Sequence, residues 1–452
     1  MQLKRVLSLH VVVATSAGLT LSVSTFVAAV QVAGFVLGDS AWLAILIGGA
    51  LCLLSAACFS ELNGLLPTAN GIRLYFSRAF NDQTSMVVSL TYMTVVIVGV
   101  IGAESYIIAH VLSGMLPMVP PYFWVVLMIL AVTGINIRGI KLAGVFQEIV
   151  TYGLLASLVV FSLLALSKVG FHLEKPFTPG SADGLLTAVA MGVFLYVGFE
   201  WVTPLAEEVL DAKYITKGMM IAIGLLSVTY ALFTVAMTAL VPKEALLQAA
   251  APHMVFARTV AGAPGAVWMA VLSLAATVTT FNAGLISISR FMYASAREQV
   301  LPAVFSRLNL RFLTPWVAIS AICGLGLVVS AITVFSGRYL VLLKVAAATE
   351  SLVYVLAGLA VLRLRRLLPE APRPYLIKGG ALVPVLTAVV FALLAGAVLL
   401  EDPVALLILG AVLILVVVYV NTAVPYLKRK RAERKPPSRR RRPPKAEPGP
   451  EA

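Results

Sequence analysis

Charge is what this chain has least of. Asp, Glu, Lys and Arg together make up 12% of its 452 residues, against about 25% in an ordinary soluble domain. So little charge cannot cover a globular surface, and a soluble fold is excluded. The chain also lacks room for a soluble module, because no stretch between its hydrophobic runs reaches the smallest independent domain, about 50 residues. There is no P-loop, which excludes an ATP-driven pump. There is no HExxH, no paired intramembrane Asp and no DDxxD, so an intramembrane enzyme finds no support and no cofactor is expected. Only three cysteines occur, Cys52, Cys58 and Cys323. Their spacing fits neither a metal site nor a disulfide framework, so they read as small core residues and no bound metal is expected.

What is present is hydrophobic length. The chain is 60% hydrophobic, with a mean hydropathy of +0.98. A spanning helix needs roughly 20 mostly apolar residues. Twelve such runs occur, at 7–31, 41–62, 85–112, 122–137, 146–167, 184–207, 216–241, 264–291, 315–335, 340–362, 381–399 and 403–424. Lys4-Arg5 before the first run resembles the start of a signal peptide, but that run is long and eleven more follow. With an even number of spans both termini share a side. That side then holds 28 of the 34 basic residues, leaving Lys168, Lys175, Lys243, Arg258, Arg338 and Lys344 on the other. The positive-inside rule makes the rich side cytoplasmic, and the plasma membrane is the expected location.

Residues 428–452 carry eleven basic and three acidic residues, with Arg439 to Arg442 set among prolines. This tail reads as disordered. Attachment to anionic membrane lipid suits a basic run that follows a span better than nucleic-acid binding does. Spans eleven and twelve are uniformly apolar, which suits a peripheral or oligomer-forming role; the oligomer itself stays open.

Two of the spans are interrupted. Residues 198–204 read GFEWVTP, a glycine, a carboxylate and a proline inside an apolar run. Residues 16–24, SAGLTLSVS, interrupt the first run. Lipid tolerates neither unless the backbone faces protein or a water-filled cavity. Each interruption opens a set of five spans, over 1–168 and 184–362. Five is odd, so the second set lies inverted relative to the first. The reading is an all-α polytopic membrane protein with twelve transmembrane helices, a five-plus-five inverted repeat and helices 1 and 6 broken. Residues 363–427 add spans eleven and twelve. The outer stretch 242–263 reads as a short helix interrupted at Pro252, placed as a lid.

Four motifs carry a family resemblance: YVGFEWVTPLAEEV at 196–209, SRFMYASAREQVLP at 289–302, FSELNGLLPTANG at 59–71 and LRLRRLLPEAPRPY at 362–375. In order and spacing the chain resembles amino acid permeases of the amino acid–polyamine–organocation group. The resemblance implies the leucine-transporter-type fold and alternating access around a central site. It departs from that pattern at residues 22–26, SVSTF in place of GSGIF, and at Leu210-Asp211-Ala212 in place of a following Asn-Pro. Proton-coupled relatives often carry a Lys in span five, and residues 146–167 have none.

A broken helix frees N–H groups at one end and C=O groups at the other. A free amino acid presents an anion and a cation close together and fits such a pair of ends. Its carboxylate is expected on the amides of Ser22, Val23 and Ser24, beside the break at Gly18. Its amine is expected among the carbonyls of Ala14, Thr15 and Ala17, and of Phe194, Leu195 and Val197 before Gly198. The serine hydroxyls either join this site or bond back to the preceding turn. Phe194 and Trp201 are aromatics placed to close over a substrate, or plain core residues. Glu104, Glu200 and Glu350 lie at membrane depth with no Lys or Arg one turn away. A buried unpaired carboxylate binds a proton or a cation, or bonds to a hydroxyl such as Tyr106 or Tyr354. Glu104 and Glu350 are therefore gating or coupling candidates, both expected to face the outer vestibule. Asn282, Ser287 and the threonines at 277, 279 and 280 lie where related folds sometimes bind sodium. The coupling ion is a proton or sodium. Glu207 and Glu208 are candidates to latch onto Arg290 or Arg73. The function expected is secondary active transport of amino acids, with a polyamine or organic-cation carrier or exchanger as the alternative.

Overall fold

The computed structural model describes residues 5–26, 41–169, 188–189, 191–249 and 251–434. Among these the chain is helical throughout, apart from turns and one isolated bridge between Leu7 and Val209. That is what an apolar solvent demands, since a helix satisfies its backbone within one segment. The α-helices are α1 (Leu9–Thr20), α2 (Ala41–Leu65), α3 (Gly71–Ala79), α4 (Asp82–Met115), α5 (Pro121–Ile137), α6 (Ile140–Val169), α7 (Lys213–Leu240), α8 (Lys243–Gln248), α9 (Pro252–Arg297), α10 (Trp316–Ser336), α11 (Tyr339–Leu367), α12 (Leu382–Glu401) and α13 (Pro403–Arg434).

Among the described residues nine of these helices are long and apolar enough to cross a membrane, and α1 and α5 are shorter apolar helices. Each of the nine covers one of the hydrophobic runs. The runs at 7–31 and 184–207 extend into residues outside the described set, as do the loop at 169–183 and the tail from 435.

The core is built around α1, which packs on α6, α7 and α9, and around a 3-10 segment, Phe199–Glu207, that packs on α1, α2, α7 and α9. The periphery is α12 and α13. Of the most apolar window of α9, 78% is buried, against 33% for α12 and 17% for α13. The leucines of α13 that point outward, Leu406 and Leu407 among them, need a lipid or protein neighbour.

Three features differ from expectation. Helix α3 lies in the 63–84 connection, where its low hydropathy gave no span signal; it is amphipathic and buries Arg73. In the outer stretch α8 ends at Gln248 and Pro252 opens α9, because its fixed φ suits the first turn. A further break, not expected, falls at Ala261 and Gly262, with Gly262 at φ +60°. Helix α13 also runs on to Arg434, past the predicted start of the tail at 428. No Gly or Pro stops it there, and basic residues suit a helix C-terminus.

Candidate functional site

At its C-terminal end α1 stops where hydroxyls compete with the backbone. Thr20 Oγ1 and the Leu21 amide both bond Ala17 O, at 2.7 and 2.8 Å, and Leu21 leaves helical geometry. Helical geometry resumes at residues 23–26. On the facing segment residues 195–198 are turns and Gly198 has φ +107°. Pro204 lies inside the 3-10 segment that follows, which lacks the α-helical bond a proline cannot donate. The two segments touch: Ser16 Oγ donates to Phe199 O at 2.9 Å, and a Cβ on Gly198 would sit 3.1 Å from Leu19.

The amides freed beyond the break are not empty. Glu104 of α4 accepts from Val23 N at 2.9 Å and from Ser24 N at 3.1 Å. Thr277 Oγ1 lies 3.4 Å from the same carboxylate. Ser22 and Ser24 bond each other through their hydroxyls at 2.8 Å rather than bonding back to the preceding turn.

A second acidic centre lies nearer the N-terminal end of α4, at Tyr92. Glu200 accepts from Tyr354 Oη at 2.6 Å and from Tyr92 Oη. Tyr92 Oη also lies 3.1 Å from Glu350 Oε1, and Glu350 Oε2 has no partner. Tyr92 and Glu104 are twelve residues apart on α4, about 18 Å along the axis. Glu104 and Glu350 therefore meet α4 at different levels. Tyr354 serves Glu200, and Tyr106 stacks on Tyr339 at 4.5 Å.

Between those levels lies a small apolar cavity of about 50 Å³, walled by Val96, Ile97, Val100 and Ile101 of α4, Leu19, Trp201, and Thr280 and Gly284 of α9. Trp201 stacks on Tyr92 at 4.8 Å, with its indole N–H unpartnered. Trp201 thus borders this cavity, whereas Phe194 packs half-buried against the core and its carbonyl takes the Val197 amide at 3.2 Å.

Most other candidates are bound into the scaffold, although the buried Ser287 Oγ has no partner. Asn282 donates to Gln147 Oε1 at 2.7 Å and Ala143 O at 3.0 Å, and accepts from Asn136 at 2.7 Å. Gln147 and Thr151 reach Ala14 O at 3.3 and 3.2 Å. Thr15 bonds back to Val11 O at 2.8 Å. Thr279 and Thr280 donate straight to Gly18 O at 3.1 and 3.2 Å. A side chain at Gly18 would force Gln147 to move, because a Cβ would lie 1.8 Å from its Nε2.

The four motifs lock in pairs. Arg290 Nε meets Glu208 Oε2 at 2.9 Å with both side chains 1% exposed, and Arg297 meets Glu207 at 3.4 Å. Arg73 turns away from that latch to Asp82 at 2.9 Å and to Glu298. Glu61 of the third motif takes Arg365 of the fourth through two bonds, at 2.8 and 2.6 Å, with Arg373 at 3.5 Å. Tyr92, Gln147 and Asn136 had no signal beyond being polar within apolar runs, while Thr277, read beside a sodium site, instead lies against Glu104. The Glu61–Arg365 pair was visible as complementary charge in two motifs.

A many-helix bundle with two unwound, buried and touching segments defines a multi-pass membrane protein whose centre is polar. Its family follows from comparison. The amino acid permease family model matches residues 6–428, so the chain belongs to that family. It is 27% identical over 380 residues to the Asc-type amino acid transporter 1 of Homo sapiens, covering 79% of this chain and 70% of that protein. The methylthioribose transporter of Bacillus subtilis is 22% identical over 413 residues, 85% of this chain and 87% of its own. The cationic amino acid transporter 3, mitochondrial, of Arabidopsis thaliana is 26% identical over 343 residues, and the chain spans 55% of its length. Among solved structures, a nucleobase-cation-symport-1 family transporter in a closed conformation with bromovinylhydantoin bound superposes with a TM-score of 0.54. It is 15% identical and covers 90% of this chain and 94% of its own. That likeness is one of fold.

Proposed function

We propose that this chain is a secondary active transporter that carries amino acids across the membrane by alternating access. The observation that carries the reading is the pair of touching interruptions, at Leu21-Ser22 and at residues 195–198. Unwound backbone at membrane depth is tolerated where it lines a ligand site. The fuller architecture goes with it: twelve spans, broken helices 1 and 6, an inverted repeat over 1–168 and 184–362, and both termini at the cytoplasmic face of the plasma membrane. In this reading the substrate lies by the interruptions, with its apolar portion toward Trp201 and the cavity beside α4. A proton is the favoured coupling ion over sodium. Thr279 and Thr280 both spend their hydroxyls on Gly18 O. Tyr92 has one hydroxyl proton and two carboxylate neighbours, so the second contact needs a proton of its own.

A second reading, a polyamine or organic-cation carrier, is favoured by one observation. Glu104, Glu200 and Glu350 are each at most 1% exposed, and among the described residues none forms an ion pair. Uptake into proteoliposomes of labelled amino acids and polyamines, with and without an inward proton gradient, decides between the two. Saturable amino acid uptake supports the first reading. Uptake competed by putrescine but not by neutral amino acids supports the second.

A further inference from the structure

Glu104 stands where a substrate anion would. Its oxygens reach two consecutive backbone amides, Val23 N at 2.9 Å and Ser24 N at 3.1 Å. Those N–H groups start a helical stretch, the arrangement that draws carboxylates. A free amino acid offers the same group with the same charge. One pair of amides holds one carboxylate at a time.

We propose that Glu104 and the substrate carboxylate compete for the amides of Val23 and Ser24, and that displaced Glu104 takes up a proton, so that amino acid and proton bind together. The inference rests on the reading of this chain as an amino acid carrier.

The displaced side chain has few places to go. Glu104 is 1% exposed. From α9 it faces Thr277, whose hydroxyl also bonds Ser273 O at 3.1 Å. From the break it faces the Ser22–Ser24 hydroxyl pair. From α7 it faces Tyr230, whose hydroxyl is committed to Thr20 O at 2.9 Å. His253, at the start of α9, packs on the Phe26 ring at 5.6 Å. On α4 itself, Tyr106 stacks on Tyr339, and the His110 ring bonds Tyr106 O at 2.8 Å. No Lys or Arg among the described residues pairs with Glu104. A carboxylate pushed off its two donors in such surroundings is neutralised by a proton. The charges balance. A zwitterion enters, its carboxylate replaces that of Glu104 on the amides, and Glu104 becomes a neutral acid, so the complex gains one positive charge.

The test uses the purified full-length protein in detergent, with L-serine, L-leucine, L-phenylalanine and L-lysine as probes. In weakly buffered solution with a pH indicator, wild type should take up one proton per amino acid bound. Once Glu104 is ionised, its apparent Kd should rise about tenfold per pH unit. In Glu104→Gln binding should be tighter and independent of pH, with no proton uptake; Glu104→Ala provides the same readout if the glutamine variant fails to fold. Binding by wild type that is flat with pH overturns the proposal, and so does proton uptake that survives in Glu104→Gln, which moves coupling to Glu350. Binding of tryptamine or putrescine with rejection of every amino acid also overturns it, because Glu104 is then a permanent occupant. Failure of every probe to bind, and of every probe to enter proteoliposomes, overturns the carrier reading beneath it instead.

Discussion

Removing Arg290 tests whether the buried ion pair at the Glu208 end is a latch. In Arg290→Met the Glu208 carboxylate keeps its burial and loses its cation, and breaking one side of such a pair costs about 3–5 kcal/mol. That cost does not fall equally on all conformations. The Val6 and Leu7 amides both bond Glu208 O, at 2.8 and 3.0 Å, and Leu7 pairs with Val209, so the N-terminal segment covers this end. Glu208 regains water when that cover lifts. The penalty therefore acts on the closed state, and at about 1.4 kcal/mol per decade it raises the open fraction by about a hundredfold to a few thousandfold. Leu7 is 1% exposed, which makes it the reporter. In a background with Cys52, Cys58 and Cys323 replaced by alanine, Leu7→Cys should react slowly with an impermeant maleimide. Adding Arg290→Met should speed labelling by that factor, and Arg290→Met with Glu208→Gln should return most of it. An unchanged labelling rate in the single variant, in protein that still elutes as one folded species, would refute the reasoning.

Gly18→Ala should lower thermal stability by about 1–3 kcal/mol through overpacking, since its Cβ would lie 1.8 Å from Gln147 Nε2 and 2.7 Å from Thr151 Oγ1; adding Gln147→Ala should recover part of the loss in a fluorimetric melt. Tyr354→Phe leaves Glu200 Oε2 without its 2.6 Å donor and should cost about 1–3 kcal/mol. Tyr92→Phe should cost more, because one hydroxyl there serves two carboxylates. Outside the spans, the Ala405 amide, with Lys344 beside it, holds the Asp402 carboxyl below the usual carboxylate range. Its contribution is present above the unfolded value of about 3.9 and lost as pH falls through the lower folded value. Asp402→Asn should therefore lower Tm at neutral pH and make no difference in strong acid.

The helices were legible because hydrophobic length needs no tertiary information, and each of the nine long helices covers a run visible in the sequence. Within the described residues, non-helical backbone does fall at Leu21-Ser22 and at 195–198, inside two of the hydrophobic runs. Helix α3 was not, since a nine-residue amphipathic helix carries no length signal. The acidic centre around Tyr92, Glu200 and Glu350 draws on residues more than a hundred positions apart, which no local spacing reveals. Depth counted from helix ends set Glu104 and Glu350 at one level; the 34-residue length of α4 and the Tyr92 contact separate them. The partner of Glu104 was hidden for a different reason: it is backbone, and an amide leaves no letter in the sequence.

The distribution of buried charge supports a working centre more strongly than any single contact does. At the Glu208 end and around Glu61 the chain buries acids and bases together, and Arg290, Arg73, Arg365 and Arg373 all meet carboxylates. Between them it buries Glu104, Glu200 and Glu350, and among the described residues no Lys or Arg pairs with them. A fold that needed only rigidity there would gain by replacing them with apolar residues, since even a paired buried charge seldom adds stability. The cost is kept where the backbone is unwound and beside an apolar cavity, the one region where a ligand's charge or a proton can compensate it. On the carrier reading, the paired ends fix the scaffold and the unpaired middle is completed by what it binds.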